Sequence, residues 1–142
     1  MDNITYNQIF DNIFKLATLE ILNNNKKEDI KKFVKTTVNG DEIKSYLAIK
    51  AYLKPKKNLG IILYVLTNVR LIKIEISEIE NINSSSFFLG SITSVERKII
   101  DKDTVSIDII FQNTSLGLRY PINNNTITNF FQKIEQLKTE GV

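Results

Sequence analysis

The spacing of the apolar residues changes twice along this chain, and that limits the fold more than any other feature. Over residues 4–22, Tyr6, Ile9, Phe10, Ile13, Phe14, Ala17 and Ile21 recur at steps of three and four, the period of one helix face. From about residue 44 the period falls to two, and it returns to three and four only after residue 123. A helical pattern cannot bury one face as a strand, nor the reverse, so the order must be helices, then strands, then a helix.

The first helix is expected over 4–22. Thr5-x-x-Gln8 has capping-box spacing, and Asn23-Asn24-Asn25 suits a helix end because asparagine tolerates the left-handed conformation. A second, weaker helix over 26–38 carries Ile30, Phe33, Val34 and Val38, with Asn25-x-x-Glu28 at its start. Asn39-Gly40-Asp41 is a turn signal.

Seven strands are then expected. In 44–53, Leu47, Ile49, Ala51 and Leu53 alternate with Tyr46, Ala48, Lys50 and Tyr52. Pro55 interrupts the pattern, since proline cannot continue a central strand. Ile61–Leu66 and Val69–Ile76 form a hairpin around Thr67-Asn68, with Asn68 expected at positive φ, Thr67 bonding the turn and Arg70 reaching backbone carbonyls or a neighbouring strand. Residues 81–86 read as a polar loop, and Phe87–Ile92 and Val95–Ile100 as strands. Asp101-Lys102-Asp103 turns the chain into 104–111, with Val105, Ile107, Ile109 and Phe111 inward. Residues 115–122 follow, with Leu116, Leu118, Tyr120 and Ile122 on one face. Asn123-Asn124-Asn125-Thr126 caps a last helix striped by Ile127, Phe130, Phe131, Ile134 and Leu137.

Composition narrows the chemistry. The 142 residues include no histidine and no cysteine, which removes disulfides, thiolate nucleophiles, cysteine- or histidine-ligated zinc and the commonest general base. The five glycines stand apart from one another, so there is no glycine-rich phosphate loop, and no serine sits in a nucleophile elbow. Asp101-x-Asp103 and Glu78-x-Glu80 are the carboxylate pairs a hard cation would use, but Asp-Lys-Asp is also an ordinary hairpin turn. No enzyme, cofactor or metal site is therefore expected. No apolar run approaches the ~20 residues of a membrane helix, and the start does not resemble a signal peptide. The expected location is cytoplasmic, or peripheral at the inner membrane surface.

Ile62-Leu63-Tyr64-Val65-Leu66-Thr67-Asn68-Val69-Arg70-Leu71-Ile72 resembles the apolar-strand, Thr-Asn-x-Arg-Leu-Ile hairpin of bacterial pleckstrin-homology-like (PH-like) and GRAM-like domains. Gly40-Asp41-Glu42 resembles their entry to the first strand, and Ile92-Thr93-Ser94-Val95 their step between middle strands. The resemblance covers roughly residues 40–140, with Val69 where those families usually carry a second basic residue. It implies an α+β fold: a PH-like, partly open antiparallel barrel of about seven strands, closed at one end by the C-terminal helix. Here a two-helix segment (1–39) would precede a PH-like domain (40–142). The resemblance also implies a non-enzymatic module for protein binding or self-association. The helix over 4–22 lies outside the common core of that fold, and its apolar stripe would either cover its own barrel or serve as a docked or swapped element on a partner.

Charge supplies the alternative. The net +3 conceals a stretch between Glu42 and Glu75 with seven basic residues and no acid. Lys54, Lys56 and Lys57 follow the first strand and Lys50 lies on it. In PH domains that bind phosphoinositides the resemblance places basic residues in this loop, so these four are the candidate ligand-binding residues for an anionic lipid headgroup. The composition is rich in Lys, Asn and Ile throughout, and a solvated lysine loop accounts for the same run. Tyr46 and Tyr52 beside Lys50 are the one place where nucleic-acid bases would stack, without any accompanying recognition motif.

Overall fold

The computed structural model of the chain describes residues 5–53, 58–79 and 81–139. Three helices come first: α1 (Tyr6–Leu16), α2 (Leu19–Asn24) and α3 (Lys27–Val38). Seven strands follow: β1 (Ile43–Leu53), β2 (Asn58–Thr67), β3 (Arg70–Ser77), β4 (Asn83–Phe88), β5 (Ile92–Ile99), β6 (Thr104–Phe111) and β7 (Ser115–Pro121). Helix α4 (Asn125–Thr139) comes last. The strands form two antiparallel sheets, ordered β1-β2-β3-β4 and β5-β6-β7. An α+β chain of seven antiparallel strands followed by one amphipathic helix is the element order the PH-like resemblance demands.

The chain separates into two compact units, divided between Ser86 and Phe87. In the first unit the register sets the packing. Tyr46 pairs with Val65 and Val65 with Ile72; Ala48 pairs with Leu63 and Leu63 with Ile74; Ile61 pairs with Ile76. These side chains share one face, and the buried Ile9, Phe10, Ile13, Ile21, Ile30, Val34 and Val38 of the helices pack against it. The apolar stripe of α1 therefore covers the chain's own first sheet. The passage from helix to strand near residue 40 lies inside this unit. Gly60 sits where β1 and β3 crowd β2: a Cβ there would meet Leu53 Cδ1 and the Ile76 carbonyl.

The hairpin carrying the family resemblance ties this unit together. Thr67 Oγ1 accepts from the Val69 and Arg70 N–H groups, at 3.2 and 3.0 Å, and lies 3.2 Å from Asp41 Oδ2. Arg70 Nε donates to Asp41 Oδ2 at 2.8 Å, and Nη2 donates to the Thr37 and Val38 carbonyls at 2.7 and 3.0 Å. Those carbonyls end α3 and have no partner within the helix, so Arg70 satisfies the helix terminus from another strand. Nη1 reaches Ser86 Oγ on β4.

In the second unit, Val105, Ile107, Ile109 and Phe111 of β6 are buried, as is the whole stripe Ile127, Phe130, Phe131, Ile134 and Leu137 of α4. Phe131 stacks on Tyr120 of β7, with ring centres 6.2 Å apart, and Glu135 meets Arg97 of β5 at 3.5 Å. Helix α4 thus crosses this sheet from β7 toward β5. Asn124 Oδ1 caps it by accepting from the Ile127 N–H.

Several local expectations are corrected. The single helix over 4–22 is two helices, because Thr18 is extended and its hydroxyl accepts from the Ile21 N–H, opening a new helix. Asn25 is not the cap of α3: it is buried and its amide donates to the Ser77 carbonyl at 2.7 Å, leaving Lys26 as a cap without a side-chain bond. The hairpin turn is Asn68-Val69, and Asn68 does not adopt positive φ; among non-glycine residues described, Asn39 does, at the α3 terminus. Asn68 instead brackets the Glu42 backbone, donating from its N–H and accepting at Oδ1. Residues 83–86, expected within the polar loop 81–86, belong to strand β4 together with Phe87 and Phe88, and Leu89–Ser91 form a 3-10 turn inside the expected strand 87–92. Ile122 lies past the end of β7 and is exposed.

Candidate interaction surfaces

Lys54, Lys56 and Lys57 lie outside the described residues. Lys44 meets Glu42 at 3.0 Å, and Arg70 is engaged internally with Asp41. Lys50 is exposed on β1. Tyr46 and Tyr52 share a strand face but not an environment. Tyr46 is held against α1, where its hydroxyl accepts from the Asn12 amide, and it packs on the core, while Tyr52 is 74% exposed. The two rings do not make a continuous stacking platform.

A second basic feature was missed at the sequence level. Tyr6, Phe10 and Phe14 stand four apart on α1, and Lys27, Lys31 and Lys35 stand four apart on α3. The rings stack along α1, with centres 6.0 and 6.3 Å apart. Lys27 Nζ lies 5.1 Å from the Phe14 ring centre, and Lys31 Nζ lies 5.9 Å from both Phe10 and Phe14. Lys35 Nζ lies 5.8 Å from Tyr6 and 5.9 Å from Phe10. The two ladders run in opposite directions along a helical hairpin. Each contact is worth ~0.5–1 kcal/mol at an exposed site. Lys31 also meets Glu28 at 3.5 Å. The Tyr6 phenol is pushed above its ordinary range by burial, with the Asp41 charge adding to it. Both ladders are present in the sequence as four-residue repeats, but only their tertiary pairing gives them meaning.

The second unit offers an apolar surface. Ile99 is 66% exposed, Ile122 45% and Ile100 39%. The Ile100 N–H bonds the Thr104 carbonyl and the Ile122 N–H bonds the Asp103 carbonyl, which places all three isoleucines at the same end of the sheet. Ile99 pairs with Val105 and Val105 with Tyr120, so Ile99 extends the face that α4 covers. The turn between them is acidic. Asp101 Oδ1 accepts from the Asp103 N–H at 2.8 Å, and that bond draws the Asp101 carboxyl below its usual range. Asp101 thus serves the turn. Glu78 Oε1 likewise accepts from the Leu59 N–H. Among the described residues no three metal-ligating side chains converge.

Two shallow depressions are small: about 250 Å³ beside Asp29, Lys32, Phe33 and Thr36, and about 170 Å³ beside Val95, Glu135, Lys138 and Thr139. Both fall below the ~300 Å³ at which pockets enclose small organic ligands. No helix among the described residues is long and apolar enough to cross a membrane.

No protein-family profile matches the chain, and no curated protein matches it. Among solved structures it is similar to the crystal structure of a DUF1696 family protein with a pleckstrin-homology domain from Shewanella loihica PV-4. The two are 14% identical, with a TM-score of 0.45, over 75% of this chain and 92% of that one.

Proposed function

We propose that this chain is a PH-like binding and assembly module without catalysis of its own, working in the cytoplasm or at the inner membrane surface, and making protein–protein contacts that include contacts between its own copies. The observation that carries this reading is the exposed trio at one end of the second sheet: Ile99 and Ile100 at the end of the edge strand β5, and Ile122 just past β7. Apolar side chains clustered at one end of a sheet and rimmed by Asp101, Lys102 and Asp103 have the make-up of a contact surface. An edge strand adds unpaired backbone groups that a second chain can use.

Light scattering over a concentration series tests it. The wild type is expected to form a defined oligomer, and an Ile99→Lys/Ile122→Lys variant to be monomeric with an unchanged melting temperature. A monomer at every concentration, or an oligomer indifferent to both substitutions, removes self-association from the reading.

A further inference from the structure

We propose that the helical hairpin, not the loop after β1, is where this chain meets an anionic lipid surface, through Lys27, Lys31 and Lys35. The four-residue spacing sets the three ammonium groups in a row along one side of α3, roughly 6 Å apart along the helix axis. A row of that kind suits a plane of charge and does not enclose a single phosphate.

What holds the row in place decides its availability. A carboxylate would neutralise each lysine; here aromatic faces hold all three, and among the described residues only Lys31 of them also meets a carboxylate. A ring orients an ammonium group without cancelling its charge. It also restricts the long side chain in advance, which reduces the ordering needed on binding. Two other cations of the first unit are held differently: Lys44 by Glu42, and Arg70 by Asp41 and two carbonyls.

The same geometry argues against single-stranded nucleic acid. Binding of that kind uses open aromatic faces for base stacking. Here the lysines lie over the Tyr6, Phe10 and Phe14 faces, and Phe10 is buried. The partner that fits is a surface of phosphate charge that needs no stacking.

Vesicle flotation at about 0.15 M salt tests this with phosphatidylglycerol-containing vesicles against neutral ones. Each lysine near an anionic surface contributes about fivefold in partitioning, so Lys27→Gln/Lys31→Gln/Lys35→Gln is expected to lower it by about a hundredfold. The corresponding Lys→Arg triple variant should retain binding, and Lys54→Gln/Lys56→Gln/Lys57→Gln should leave most of it. Circular dichroism checks folding. If the glutamine variant is unfolded, the wild type's salt dependence carries the test, and partitioning that does not fall with added salt overturns the proposal. So does failure of the wild type to bind, equal binding by the glutamine variant, loss in the arginine variant, or dependence on the loop lysines instead. Binding of a single-stranded oligonucleotide through the row, without vesicle binding, assigns it to nucleic acid and overturns the proposal too. Self-association is measured without lipid, so either reading can fail alone.

Discussion

In the first unit three helices lie on one face of a four-stranded sheet; in the second, one helix lies on one face of a three-stranded sheet. Both faces are built by the same alternation. On β2 and β3 the covered face consists of Ile61, Leu63, Val65, Ile72, Ile74 and Ile76, all without solvent exposure. In the second unit the corresponding face is closed over β6, where Val105, Ile107 and Ile109 are buried, but on β5 it runs out into Arg97 and the exposed Ile99. Helix α4 reaches from Tyr120 on β7 to Arg97 on β5 but does not cover the end of β5, so Ile99 is left as an exposed apolar margin. The difference teaches where apolar side chains stay exposed in such a sheet: at the limit of its own helix cover.

Truncating a side chain on each face gives the largest test of this contrast. Ile74→Ala removes a fully buried side chain from the centre of the first unit and should cost about 3–4 kcal/mol, read as a lowered denaturant midpoint. Ile99→Ala removes the same atoms from an exposed position and should change stability by no more than about 0.5 kcal/mol. If the two substitutions cost the same, the margin is not a margin.

How much of this was readable in the sequence depends on whether side-chain pattern and burial coincide. On β6 they do: alternation alone identifies all four inward residues. On β4, Asn83 to Ser86 carry no apolar side chain; the strand exists through backbone pairing at a sheet edge, which leaves no side-chain pattern to read. Thr18 split the first helix because a hydroxyl cap is local and outweighs a continuous apolar period. The expected place of Ile122 on the strand face of Leu116, Leu118 and Tyr120 failed because β7 ends at Pro121. The lysine and aromatic ladders were each periodic on the page, but their meeting depends on α1 and α3 lying antiparallel, which neither period states. The role of Arg70 was half readable: the hairpin motif indicated backbone carbonyls, and the fold supplied the α3 terminus as their source.

That Arg70 junction sharpens the contrast next, because it fastens helix cover to the first sheet. Arg70→Met keeps much of the apolar stem, removes the fork, leaves the Thr37 carbonyl without Arg70, and leaves the half-buried Asp41 carboxylate with Thr67 and the Val38 carbonyl with the Asp41 N–H. The expected loss is about 2–4 kcal/mol, less than for a fully buried pair. Arg70→Lys should recover only part, since one ammonium group cannot serve a carboxylate and two carbonyls in fixed directions. Hydrogen exchange should show α3 and the hairpin loosening together. Loosening confined to the hairpin would mean that apolar packing alone holds the helices.

The smallest effect separates the two units by pH. Tyr64 lies in the first sheet, and burial, with the Glu75 charge adding to it, pushes its phenol from 10.0 up to about 12. Between those values the unfolded chain has lost that proton while the folded chain keeps it. The unfolded state then binds fewer protons, so stability falls as pH rises through the window. The contribution is fully present below about 10 and gone above about 12, and amounts to roughly 3 kcal/mol. Denaturant midpoints followed through this range should therefore decline more steeply for the wild type than for Tyr64→Phe, whatever the substitution costs at neutral pH. Tyr6 and Tyr46, also raised by burial, act in the same direction and in the same unit, so some decline should persist in the variant. Equal slopes in the two proteins would show that the Tyr64 hydroxyl is not desolvated, and that this part of the first sheet is as open as the margin of the second.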